Sequence, residues 1–118
     1  IGITPLLSMM RRLNELGRPW ELHYAARTRT QAGFLDDVRE LCHRGHGRLT
    51  LALDGEPGGQ MLDLQRIVAQ APANAHLYCC GPAGMLDAFT TATAGIAPSR
   101  VHQPCANIRY RVHAQGKI

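Results

Sequence analysis

Residues 76–86 read His-Leu-Tyr-Cys-Cys-Gly-Pro-Ala-Gly-Met-Leu, so two adjacent cysteines close an apolar run directly against Gly-Pro. Neighbouring cysteines are too close for an ordinary unstrained disulfide, and they lack the Cys-x-x-Cys spacing of common metal and redox sites. An extended backbone sends successive side chains to opposite faces. Alternation therefore predicts one thiol of each kind: Cys79 in the core, and Cys80 at the lip of a sheet, facing a crevice. The plainer alternative is that both are small buried hydrophobes. Gly81 and Gly84 would let backbone or a flat ring approach closely, and Pro82 suits the first turn of a helix.

Two other stretches could meet the same ligand. Gly2, Ile3, Thr4 and Pro5 form a glycine-containing loop running into a helix. A helix start presents unpaired N–H groups and partial positive charge, which suits a phosphate, although many strand-to-helix turns look alike. Arg27, Thr28 and Arg29 follow a strand-like segment and could bind ribose hydroxyls or a 2′-phosphate. No acidic residue stands in that loop to hold a free hydroxyl pair. Cys42, His43 and His46 have zinc-ligand types, but they flank Gly45, where exposed polar residues are ordinary, and no metal site is predicted. The Gly-x-Ser-x-Gly nucleophile pattern is missing.

These loops need a frame, and the chain supplies an alternating one. Leu6, Leu7, Met10, Leu13 and Leu16 recur at helical spacing, with Pro5 at the start and Gly17 and Pro19 at the end. Strands are expected at 20–26, 48–53, 76–80 and 99–103. The helices between them carry the stripe Phe34, Leu35, Val38 and Leu41, then a cap at Asp63, then Pro82. The order α-β-α-β-α-β-α-β predicts an α/β fold, a parallel sheet with helices on both faces. Ligands in such sheets bind at the carboxyl ends of strands, beside a topological switch point.

Bulk composition agrees. The 118 residues, 45% hydrophobic, suffice for one globular core. A net charge of +4, with no Lys/Arg block and no aromatic platform, argues against nucleic acid and allows a small anionic ligand. No long apolar span implies a membrane. Four cysteines without a framework pattern, and no signal peptide, predict a cytoplasmic protein with reduced thiols.

Taken in order, "GITPLLSMMRRL", "ELHYAARTR", "AGFLDDVREL" and "HLYCCGPAGMLDAF" resemble the nicotinamide-binding domain of ferredoxin–NADP reductase-like proteins. The closest likeness is to the phthalate dioxygenase reductase and vanillate O-demethylase reductase group, over residues 1–102. The resemblance implies roles residue by residue. Gly2, Ile3, Thr4 and Pro5 match the pyrophosphate and nicotinamide loop, and Arg27, Thr28 and Arg29 match the adenosine-ribose loop. Cys80, Gly81 and Pro82 match the nicotinamide-facing motif, and Met85 its methionine position. Cys80 would then serve as the catalytic-site neighbour of the nicotinamide ring, by positioning and polarity. Members of the group pass hydride from NADH to FMN, and then electrons through [2Fe-2S] to a Rieske-type terminal oxygenase.

The resemblance also sets expectations about what differs. Residues 1–103 would be an NAD(P)H-binding domain whose first strand, central in the family's order, is missing or incomplete. Unpaired inner edges would then make the chain poorly stable. Residues 104–118 are expected to be an irregular tail in place of a linker and ferredoxin domain, since the Cys-x4-Cys-x2-Cys pattern is absent. FMN and [2Fe-2S] would belong to the flavin and ferredoxin domains of the full-length family. The alternative function is an inactive truncated remnant that binds a nucleotide weakly at most. NADH is favoured over NADPH.

Overall fold

The computed structural model describes residues 4–81, 83–106 and 110–115, with side chains for 6–80 and 83–102. Among the described residues, four α-helices and five strands follow one another. They are α1 (Thr4–Glu15), β1 (Trp20–Ala26), α2 (Leu35–Arg44), β2 (Gly47–Leu53), α3 (Leu64–Gln70), β3 (Ala75–Gly81), α4 (Ala83–Ala92), β4 (Val101–Ala106) and β5 (Tyr110–Gln115). Helix α1 stops where expected: Gly17 takes the left-handed φ of 68°, and the Arg18 amide donates to the Leu13 carbonyl at 2.9 Å. Asp63 caps α3, its carboxylate accepting from the Arg66 amide at 3.2 Å.

Two expectations for helix faces fail at their ends. Phe34 stands before α2 with φ 60° and is 42% exposed, outside the stripe that Val38 anchors. Leu16 lies past the last turn of α1 and is 40% exposed. In both cases the backbone still joins the helical hydrogen bonding, the Leu16 amide donating to the Arg12 carbonyl and the Phe34 carbonyl accepting from the Val38 amide, but the side chain at that end has no core to face.

The sheet has the order β2-β1-β5-β3-β4. Pairs β1/β2 and β3/β4 are parallel, whereas β5 lies antiparallel to both β1 and β3. Helices cover both faces, as the α/β alternation predicts. On one face Leu6, Met10 and Leu13 of α1 and Val38 of α2 pack on Trp20, Leu22, Tyr24, Tyr78 and Cys80. On the other, Leu64 and Val68 of α3 and Phe89 of α4 pack on Leu77 and Cys79. The parallel β3/β4 pair is reinforced by the His102 ring, stacked on Tyr78 at 4.6 Å and joined to His76 by an Nδ1–Nε2 contact of 3.1 Å.

The tail corrects the sequence reading. Residues 104–106 extend β4, and 110–115 form a strand in the middle of the sheet. Val112 is in register with Leu22 on one side and with Tyr78 on the other. The inner edges of β1 and β3, expected to be bare, are therefore both paired. Burial explains this: unpaired backbone groups in a sheet centre are costly, and a segment with strand-like alternation recovers those bonds. Deleting residues 107–118 should strip both inner edges at once. Thermal unfolding followed by circular dichroism should then lose its cooperative transition, and a sharp melt like that of the full chain would contradict the central role of β5.

Candidate functional site

Strands β1 and β2 run parallel and end together, which puts the loops after them side by side. Their backbones are laced: the Asp54 amide donates to the Ala26 carbonyl at 3.2 Å, and the Gly55 amide to the Arg27 carbonyl at 2.8 Å. The Glu56 carboxylate adds a third bond, accepting from the Arg29 amide at 3.2 Å. Gly55 is required by this proximity, because a Cβ there would sit 2.7 Å from the Arg27 carbonyl oxygen.

Beside these laced loops lies a cavity of about 460 Å³. Its floor is Ala25, Ala26 and Ala52, at the carboxyl ends of β1 and β2. Met61, Leu62 and Leu64, leading into α3, form one wall, and Gly84, Met85 and Ala88 from the first turns of α4 form the other. Arg27 and Asp54, both exposed, supply its charged groups. A mostly apolar slot with one cation and one anion suits a flat heterocycle joined to a hydroxylated, charged group. A Cβ at Gly84 would meet nothing within 4 Å, so a side chain there would project into open space beside the cavity it lines.

The predicted residues divide on this geometry. Arg27 and Met85 line the same cavity although 58 positions apart in the chain. Arg29, two residues on, lines a different groove of about 610 Å³ between β2 and α3, on the far side of the 56–62 loop. Thr28 is half-buried, its hydroxyl 3.0 Å from that of Thr30. Gly2, Ile3 and Pro82 lie outside the described residues, while Thr4, Pro5 and Gly81 are described by backbone only, within α1 and β3.

Cys79 and Cys80 do face opposite ways, in the α3/α4 cluster and the α1/α2 cluster respectively. Both are completely buried, so Cys80 is not at the lip of the crevice. Cys80 is sealed within the cluster to which α1 and α2 contribute, and an alternation rule that assigns faces cannot show how far a face is covered. Cys79, Cys80 and Cys42 form no disulfide. Burial pushes the half-buried Cys42 thiol above its ordinary value. Among the described residues no three His, Cys, Asp or Glu side chains gather as metal ligands, and no helix is long and apolar enough to cross a membrane.

Asp54 is the residue that sequence reasoning missed. The 27–29 loop lacks an acid, but β-sheet pairing brings one from the adjacent strand end. Its only sequence signal was a polar Asp-Gly directly after a parallel strand, which reads as a turn.

Comparison with known proteins gives a consistent set of relatives. No protein-family model matches the chain. Over 103 residues, 86% of the chain, it is 53% identical to phenoxybenzoate dioxygenase subunit beta of Ectopseudomonas oleovorans, a stretch amounting to 30% of that protein. It is 45% identical over 101 residues to tetrachlorobenzoquinone reductase of Sphingobium chlorophenolicum, covering 86% of the chain and 31% of the relative. Vanillate O-demethylase oxidoreductase of Pseudomonas sp. strain HR199 is 29% identical over the whole chain and 41% of its own length. The chain thus spans about a third of these relatives. Its fold matches that of part of a flavohemoglobin from Malassezia yamatoensis, with a TM-score of 0.75 at 20% identity, over 88% of this chain and 29% of that one.

Two outcomes follow from the site itself. The raised Cys42 value leaves less thiolate at neutral pH than a free cysteine has. Its alkylation by iodoacetamide should be slower than that of N-acetylcysteine, and should still be rising at a pH where the small thiol has reached its plateau. The sign for stability is the same: the native state keeps this proton longer than the unfolded chain, so the contribution is full below the unfolded thiol's value and lost as pH rises through the folded one. Replacing Gly84 by Ala should raise stability by about 0.5–1 kcal/mol in urea unfolding, because a helical glycine is replaced where nothing obstructs the methyl.

Proposed function

With reductase subunits of oxygenase systems among its relatives, we propose that the chain belongs to the ferredoxin–NADP reductase superfamily and forms the nicotinamide-nucleotide-binding part of an NADH-dependent flavoprotein reductase. The observation that carries this reading is the cavity itself. Arg27, Asp54, Gly84 and Met85 converge on one slot at the carboxyl ends of parallel strands, where α/β sheets take their ligands.

The residues present fit a dinucleotide. In this proposal the adenine ring lies against the apolar wall of Met61 and Leu62, with Met61 78% exposed and available to it. The Asp54 carboxylate accepts hydrogen bonds from the adenosine ribose hydroxyls, and the Arg27 guanidinium meets a phosphate. A carboxylate at that point also opposes a 2′-phosphate, which favours NADH over NADPH. Residues Gly2, Ile3, Thr4 and Pro5, with Gly81 and Pro82, take the pyrophosphate and nicotinamide side. Cys80 acts from the core, as support for Gly81 at the end of β3 and not as a group in contact with the ring.

When bound, the nicotinamide supplies the hydride, and the chain supplies binding and orientation. FMN and [2Fe-2S], with the flavin and ferredoxin domains that hold them in the family, lie elsewhere than on the residues of this cavity. The final electron acceptor is a terminal oxygenase.

Calorimetric titration of the chain with NADH and NADPH tests the reading. NADH should bind more tightly. Asp54→Asn should shift the preference toward NADPH by about tenfold, about 1.4 kcal/mol. Gly84→Leu should fill the slot and abolish binding without lowering the melting temperature. The reading fails if neither nucleotide binds and neither reduces flavin once the chain is joined to a flavin domain.

A further inference from the structure

The loop after β2 carries an acid that the proposed binding residues do not use. Glu56 is half-buried and does not line the nucleotide cavity; it lies on the other side of the loop, at the groove that contains Arg29. Its carboxylate accepts from the Arg29 amide, which is the third of the bonds lacing the 53–59 segment to the 26–29 segment. The first two bonds belong to backbone atoms next to Arg27 and Asp54 and would form with any side chain at position 56. The third depends on a side-chain acceptor.

The 53–59 segment is itself held tightly. The Glu56 amide donates to the Leu53 carbonyl at 3.3 Å, and the Gly59 amide donates to the Glu56 carbonyl at 2.9 Å. Gly59 is wedged against the Leu53 carbonyl, where a Cβ could not fit. The position of Glu56 is thus determined by a compact turn, and the partner it holds belongs to the loop across from it. That loop has little of its own: Arg27, Arg29 and Thr30 are exposed, and the short turn at Arg29–Gln31 buries no residue. A loop with few buried contacts opens at low cost unless something ties it.

We infer that Glu56 is a positioning residue, a latch that holds the Arg27–Arg29 loop at the spacing from Asp54 that the adenosine half of the dinucleotide requires. This rests on the proposed nucleotide site and deepens it: affinity for the adenosine half depends on a residue that does not touch it. Without the latch, Arg27 and Asp54 remain but sample several separations. Binding then has to order the loop, and that ordering is taken from the affinity. The acceptor oxygen matters, while the charge does not, so glutamine at this position keeps the latch.

The test uses the full 118-residue chain and ADP-ribose as the probe, with hydrogen–deuterium exchange of the free chain as a readout that needs no ligand. Glu56→Ala should accelerate exchange of the Arg29 amide about five- to tenfold and weaken ADP-ribose by a similar factor, corresponding to the loss of one exposed hydrogen bond. Its melting temperature should fall by no more than about 5 °C, the shift that losing one such bond produces in a chain of this size. Glu56→Gln should match the parent in both exchange and affinity. The inference is overturned if Glu56→Ala leaves exchange and affinity unchanged, if its melting temperature falls by much more than about 5 °C so that the whole fold is loosened, or if Glu56→Gln is as impaired as Glu56→Ala. Faster exchange with unchanged affinity would also overturn it, because the latch would then not serve the site. Failure of the parent chain to bind ADP-ribose would instead bring down the nucleotide site, a separate result.

Discussion

Everything in this sheet depends on the antiparallel ladder that β5 makes with β1 and β3. Without it there are two parallel pairs, β2/β1 and β4/β3, that share no backbone bond. Each would end on a row of N–H and C=O groups facing the interior, where no solvent could satisfy them. Strand β5 bonds to both rows. It also makes one continuous platform for α1, which packs across the β1 side and the β3 side of the same cluster.

The candidate site inherits its geometry from that platform. The cavity takes its floor from β1 and β2 and one of its walls from α4, which follows β3. These elements belong to the two strand pairs that β5 joins. Strand direction does the rest. Because β1, β2 and β3 all run the same way, the loops bearing Arg27, Asp54 and Gly84 open at the same end of the sheet. Loops there are long enough to vary while the strands below stay fixed, which is how one frame can present different binding residues.

The bulk of the fold was legible because it rests on local periodicity. Leu6, Leu7, Met10 and Leu13 lie on one helical face whatever they pack against, and the alternation of Trp20, Leu22, Tyr24 and Ala26 marks a half-covered strand. Strand β5 was not legible. "YRVHAQ" alternates apolar and polar residues as a strand should, yet six residues of weak alternation after a proline look like a tail until two strand edges are seen to need them. Phe34 and Leu16 show the opposite error, since apolar spacing continued onto helix-end residues that bond through their backbone yet leave their side chains exposed.

By itself the sequence determined the helices, four of the strands, the opposite faces of Cys79 and Cys80, and the loops where a ligand could bind. All of these follow from neighbours a few residues apart, whose relation the backbone geometry dictates. Only the tertiary structure decided that Cys80 is fully buried, that Arg27 and Met85 line one cavity while Arg29 lines another groove, and that Asp54 and Glu56 bond to the loop of a different strand. Those outcomes depend on which strands lie side by side and how their ends align. Pairing of that kind is set by the burial of the whole sheet, to which no short stretch of sequence refers.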